Sequence, residues 1–143
     1  ALAASAGCKI LLPVDLRYQV PESSTPVSRR VGDPIPDDWM PKDVGPETVR
    51  NFHSACKSAA TVLWNGPLGV IEEPPFDAST RALARDLARL DAITIAGGGH
   101  TVAMIESENL QGHFSHVSTG GGATLELLEF GHLPGIDALS DVS

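Results

Sequence analysis

An α/β fold, a parallel sheet flanked by helices, is predicted by three features of this 143-residue sequence. Short apolar runs alternate with segments of helical periodicity from Gly45 onward, and such alternation implies right-handed crossovers between parallel strands. Two triple glycines, at residues 97–99 and 120–122, each stand between an apolar run and a helical segment. The hydrophobic content of 42% is enough to fill the core of one globular domain.

In chain order, residues 1–7 are alanine-rich and closed by Gly7, the signature of a helix tail. The apolar run 8–15 is suited to a buried strand, with 16–20 continuing it in extended form and Pro13 marking its end. Residues 21–43 contain five prolines among serines and charges and read as a surface excursion. Pro46 suits a helix start, and Val49, Phe52 and Ala55 or Cys56 give that helix one apolar face to about Ser58. Residues 61–64 form the next strand. In the helix expected over 78–90, Leu83, Leu87 and Leu90 share one face, and Arg81, Arg85 and Arg89 share another that is expected to be solvated. A strand at 92–96, a helix opening at 101–106, a strand at 116–118 and a helix opening at 123–129 complete the alternation. In such a sheet ligands sit beyond the carboxyl ends of the strands, so the loops after Trp64, Ala96 and Ser118 share one rim.

Charge and cysteine content narrow the function. Eighteen acids against ten bases give a formal net charge of −8, which argues against a general nucleic-acid or anionic-membrane binder. No apolar run approaches the roughly 18 residues of a spanning helix. Cys8 and Cys56 form no CxxC pair and read as two buried thiols of a reduced, cytoplasmic protein. After Arg89 there is no Lys or Arg, although Asp91, Glu106, Glu108, Glu126, Glu129, Asp137 and Asp141 follow. An anion bound in that region must therefore be held mainly by backbone.

The triple glycines offer such a device. Gly97-Gly98-Gly99-His100-Thr101 and Gly120-Gly121-Gly122-Ala123-Thr124 both read strand, glycines, helix. Glycines let the backbone approach a ligand with no side chain intervening, and a helix starting there aims free N–H groups and its positive dipole end at one point. One copy alone could be a tight turn; two copies after two strands favour a pair of anion sites. Neither is a GxxxxGK[ST] loop or a GxGxxG fingerprint. A second constellation, residues 64–72, places a rigid Gly-Pro turn after a strand and brings Glu72 back to the rim, where a carboxylate can accept two hydroxyl hydrogen bonds. In a third, Gly45 would let a flat ring lie against backbone, although Gly45-Pro46 is equally an ordinary helix entry.

The runs KILLPVD, IPDDWMPKDVGPET, VLWNGPLGVIEE, ITIAGGGHT, FSHVSTGGGATLELLE and LPGIDAL, in this order, give nearly the whole chain a close resemblance to phosphoglycerate kinases. The resemblance implies residues 1–143 to be the carboxyl-terminal portion of that family's nucleotide-binding domain, an incomplete Rossmann-like lobe. The amino-terminal phosphoglycerate-binding lobe and the front half of this domain are expected to lie elsewhere, with any organelle-targeting segment. It further implies ATP or ADP with magnesium as cofactor, and reversible phosphoryl transfer between 1,3-bisphosphoglycerate and ADP.

Carried over by position, Gly45 lies at the adenine, Asn65, Pro67, Gly69 and Val70 line the nucleotide pocket, and Glu72 binds the ribose hydroxyls. Gly98, Gly99, His100 and Thr101 surround the nucleotide phosphates, while Gly120, Gly121 and Gly122 face the phosphoryl group in flight, with Gly99 counted on both sides. One departure concerns magnesium: where the best-known family pattern is GGGD, with an Asp meeting the metal, this sequence has His100. Imidazole is a poor ligand for so hard a cation, so no metal ligand is assigned. His100 could instead donate to phosphate or have no role. The rival reading is a kinase-like nucleotide-binding or protein-interaction module without catalysis.

Overall fold

The computed structural model describes residues 2–139, so Asp141 and both ends of the expected 1–143 domain lie outside the described residues. Helix α1 (Leu2–Ser5) ends as its glycine predicts: Gly7 takes a left-handed φ of 67°, and the Cys8 amide closes back onto the Ala3 carbonyl at 2.8 Å. The run 8–14 forms no strand, contrary to its apolar sequence, and Ile10 and Leu12 are exposed. Composition suits these residues to a strand, but a strand needs a neighbour offering donors and acceptors along its length. Cys8 is exposed for the same reason, so only Cys56 is even partly buried; both thiols are free.

Pairing begins at β1 (Asp15–Gln19), which joins β2 (Val27–Arg30) and β3 (Met40–Val44) in an antiparallel sheet of order β2-β1-β3. The proline-rich excursion therefore contributes two strands. Pro41, which has no N–H to give, sits on edge strand β3 beside a register shift between Arg17 and Tyr18. Trp39 lies 6.1 Å from the Tyr18 ring, and the Arg29 guanidinium stands 5.3 Å from its centroid on the other strand.

A buried carboxylate links this sheet to helix α2 (Pro46–Cys56). Asp15 accepts hydrogen bonds from the Glu47 and Thr48 amides at 3.0 and 2.7 Å and from the Thr48 hydroxyl at 2.6 Å. The helix start is thus capped from another strand, 33 residues away for Thr48. Thr48 in turn accepts from the Val14 and Asp15 amides. Burial pushes the Asp15 carboxyl up, but the Thr48 hydroxyl, the two amides and the Arg50 charge outweigh it and hold the pKa below the ordinary value.

Strands β4 (Thr61–Asn65), β5 (Ile93–Gly97) and β6 (His116–Ser118) form a parallel sheet of order β4-β5-β6, as the alternation predicts. Asn65 pairs with Gly97 and Gly97 with Ser118, so the three carboxyl ends form one row. Helices α3 (Ala78–Leu87), α4 (Gly99–Ser107), α5 (Gly121–Phe130) and α6 (Pro134–Asp137) complete the described fold. The core gathers Trp64, Leu83, Leu87, Ala96, Ile105 and Phe114. On α5, Leu125, Leu127, Leu128 and Phe130 remain exposed.

The arginine face of α3 is not simply solvated. Arg81 pairs with Asp77 at 2.6 Å and with Glu108, and Arg85 also reaches Glu108, tying α3 to the end of α4. Hydrogen bonding from Arg85 foremost lowers the Glu108 pKa; burial opposes it, and the Arg81 hydrogen bond and the charges of both arginines add to the lowering. Arg81 is half-buried, whereas Arg85, although paired, and Arg89 remain exposed.

The Asp15 cap predicts an acid-sensitive stability. The folded carboxyl binds its proton less tightly than the unfolded one, so this contribution is full above the usual aspartate pKa of about 3.9 and is lost as pH falls through the lower folded value. Thr48→Val should destabilise the chain by about 1–3 kcal/mol near neutrality, and part of the difference from wild type should vanish as pH drops from about 5 to about 3. Denaturant unfolding of both proteins measures it; a difference independent of pH contradicts the cap.

Candidate functional site

The row of strand ends at Asn65, Gly97 and Ser118 feeds directly into two helix starts. At the first, Gly98 adopts φ 95° and ψ 138°, a conformation open to glycine but strained for other residues. Its N–H donates to the Ser118 carbonyl at 3.0 Å, pinning the first glycine loop to β6. At the second, the Gly120 N–H donates to the Ser118 hydroxyl at 3.2 Å. Neither helix start takes a capping side chain among the described residues. The first-turn amides of α4 and α5 consequently remain available as donors.

The glycines divide into two kinds. A Cβ on Gly121 would lie 2.4 Å from Asn65 Oδ1 and 2.7 Å from the Gly98 Cα, so the loops touch here because no side chain separates them. Gly97 is similarly confined: a Cβ there would lie 3.1 Å from Asn65 Oδ1 and 3.4 Å from the Gly121 Cα. Gly99 and Gly122 face open space. The inner glycines bring the loops together, and the outer ones leave the approach to the helix starts clear.

Between them lies an open cleft of about 300 Å³, lined by Asn65, Gly66, Pro67, Thr119 and residues of both glycine loops. Of the residues singled out in the sequence, Asn65, Pro67, Gly98, Gly99, His100, Thr101, Gly121 and Gly122 line it, while Gly120 begins the second loop. Thr101 is fully buried, and its hydroxyl accepts from the Gly66 N–H at 2.9 Å, fastening the turn after β4 to α4. Trp64 secures the same turn from below through an Nε1–H bond to the Gly66 carbonyl at 2.8 Å. Glu72 stands at the rim, its carboxylate 3.8 Å from His100 Nε2, with both side chains exposed.

Gly45, Gly69 and Val70 do not line this cleft. A Cβ on Gly45 would fall 2.1 Å from the Asp15 carboxyl carbon, so the α2 cap requires a glycine there. Gly69 rests on Asp43, where a Cβ would fall 2.3 Å from Oδ1, and the Val70 N–H donates to the Lys42 carbonyl at 2.9 Å. Sequence reasoning did not select Gly66 or Thr119, although adjacency to Asn65 and to the second triple glycine was a usable signal. The buried carboxylates of Asp15 and Asp43 were also missed, because their partners are distant in sequence.

Chemically, two adjacent helix starts with exposed amides form a concave donor surface, free of local Lys or Arg, suited to an anion such as a phosphoryl group. No cluster of three or more His, Cys, Asp or Glu able to hold a metal exists among the described residues. Nor is any helix among them long and apolar enough to cross a membrane.

The fold and cleft together define an α/β protein that presents two adjacent, uncapped, glycine-lined helix starts at the carboxyl edge of a parallel sheet. The family model described as phosphoglycerate kinase matches residues 1–131. A phosphoglycerate kinase of Pelotomaculum thermopropionicum is 47% identical over 142 residues, covering 99% of this chain and 36% of the relative. One of Herpetosiphon aurantiacus is 49% identical over 140 residues, covering 97% and 36%. The solved phosphoglycerate kinase of Coxiella burnetii aligns with a TM-score of 0.82 at 38% identity, covering 95% of this chain and 35% of that one. The chain belongs to the phosphoglycerate kinase family, and it spans about a third of the length of the curated relatives it matches.

The two kinds of glycine respond differently to a methyl group. Gly121→Ala should destabilise the chain by about 1–3 kcal/mol, since backbone lies in the way. Gly122→Ala, in open space within a helix, should leave thermal stability unchanged or raise it by up to about 1 kcal/mol. Equal effects in a thermal melt would contradict this division of labour.

Proposed function

We propose that this chain supplies part of the nucleotide site of a cytoplasmic phosphoglycerate kinase, which transfers a phosphoryl group reversibly between 1,3-bisphosphoglycerate and ADP. The observation carrying this reading is the convergence of two uncapped, glycine-lined helix starts on one cleft, with Asn65 between them. Family membership supplies the reaction; the geometry suits charge-rich, backbone-held phosphates.

In this reading the α4 start, with Gly98, Gly99, His100 and Thr101, holds the nucleotide phosphates. Thr101 contributes its amide alone, because its hydroxyl already accepts from Gly66. Gly121 and Gly122 direct amides at the phosphoryl group in flight, Gly120 faces it with its own amide held by the Ser118 hydroxyl, and Gly99 adds its amide from the facing helix start. In-line transfer needs little covalent participation from protein; alignment and neutralised charge lower the barrier. Asn65, Pro67, Gly69 and Val70 form the nucleotide wall, Glu72 takes the ribose hydroxyls, and Gly45 approaches the adenine.

The phosphoglycerate substrate is bound by a separate lobe of the enzyme, and lobe closure keeps water from the phosphoryl group. Magnesium accompanies the nucleotide, neutralising phosphate charge. Of the ionisable side chains, His100 lines the cleft and Glu72 stands at its rim, a poor donor set for this cation, and no metal-holding cluster exists among the described residues, so no step is routed through a protein-bound metal. The exposed apolar side of α5 suits a second reading, an interaction module without catalysis.

Calorimetric titration with magnesium and ADP tests the site, and a coupled assay of ATP formation from 1,3-bisphosphoglycerate tests the reaction. Gly99→Val, which places a side chain in the open cleft, should weaken ADP affinity about tenfold or more. Unaltered affinity removes the phosphates from the α4 start, and binding without turnover favours the module. His100→Asp should strengthen magnesium-dependent nucleotide affinity about tenfold. An unchanged dependence on magnesium counts against the placement of the metal near this residue.

A further inference from the structure

The loop from Asn65 to Phe76 forms one wall of the cleft and returns Glu72 to its rim, yet its middle is held by a group outside the cleft. Asp43, on β3, has no exposed side-chain surface. Its Oδ2 accepts from the Ser79 amide at 3.1 Å and faces the Arg17 guanidinium at 3.4 Å; its Oδ1 accepts from the Val44 amide at 2.9 Å. Gly69 lies directly on this carboxylate, and a Cβ there would also meet the Phe76 carbonyl at 2.3 Å. Around the same point, Arg17 donates to the Pro75 carbonyl at 3.1 Å and the Ser79 hydroxyl to the Val44 carbonyl at 2.7 Å. Strand β1, strand β3, the loop and the start of α3 all meet at this one side chain.

We infer that Asp43 is a positioning residue for the cleft: its buried carboxylate is the seat on which Gly69 rests, fixing the path of the loop that carries Asn65 and Pro67 before it and Glu72 after it. This rests on the nucleotide reading for its functional consequence, though the anchoring is independent of any ligand. Burial raises the Asp43 pKa, against the Ser79 and Val44 amides and the Arg17 charge. A carboxylate kept in so unfavourable a place is an anchor whose three donors come from three separate segments. The Val70–Lys42 backbone bond and the Leu68 amide, which donates to the Thr80 hydroxyl at 3.1 Å, follow from that placement.

Asp43→Asn keeps the shape and removes the charge. Amide hydrogen exchange on the ligand-free 143-residue chain should show Leu68, Val70 and Ser79 exchanging about tenfold faster while the β4–β5 ladder is unaffected. The same variant should bind magnesium-ADP about tenfold more weakly. Unchanged exchange at Leu68 and Val70, or acceleration spread evenly over the chain as a merely structural role would give, overturns the inference. If wild type binds no ADP, the nucleotide reading falls, but the exchange arm still decides the anchoring. Should Asp43→Asn not fold, Arg17→Met, which frees the Pro75 carbonyl and leaves the other Asp43 bonds, must loosen the same segment; no local change again overturns it.

Discussion

The close approach of two backbone segments at the carboxyl edge of the parallel sheet is the constraint on which this structure rests. Gly98 and Gly121 come together at a separation that no Cβ on Gly121 would permit, with the Asn65 side chain filling the remaining space. Everything on the cleft side follows from that contact. The two helices start next to each other, their first-turn amides converge, and Gly99 and Gly122 leave the entrance unobstructed. Concentrating donors in this way suits an anion without cationic side chains, in a region whose sequence supplies none.

A second level of organisation holds the cleft wall in place. Buried carboxylates at Asp15 and Asp43 join the antiparallel sheet to the helices behind the parallel one, and each does so by accepting hydrogen bonds from amides far away in sequence. The two respond oppositely to their surroundings. Asp15 ends with a lowered pKa because its donors outweigh burial, whereas Asp43, more deeply enclosed, ends with a raised one. Each has a glycine pressed against it, Gly45 on Asp15 and Gly69 on Asp43. Glycines that a motif search assigns to a ligand can therefore be demanded by packing, and these requirements are compatible where the same backbone also borders a site.

Much of the fold was legible because its signals are local. The strand at 116–118 and the starts of α2 and α3 follow from apolar periodicity and from Pro46, and the shared rim follows from parallel topology. The failures have a common physical origin. Residues 8–14 carry a strand's composition without a pairing neighbour, so pattern alone misassigned them. The excursion 21–43 hides two strands because prolines and charges are tolerated at the edges of an antiparallel sheet. The α3 arginines looked solvated because Glu108, their partner, belongs to a different helix end.

By itself the sequence determined the α/β class, the order of its parallel strands' helices and the two glycine loops, since periodicity and glycine placement are properties of neighbouring residues. It also carried the family, through long uninterrupted runs. Only the tertiary structure decided which glycines touch one another and which open on the cleft. It alone seated Gly45 and Gly69 on carboxylates and moved the apolar run 8–14 out of any sheet. Those outcomes depend on contacts between residues distant along the chain, where donor, acceptor and free volume are fixed by packing and leave no periodic trace.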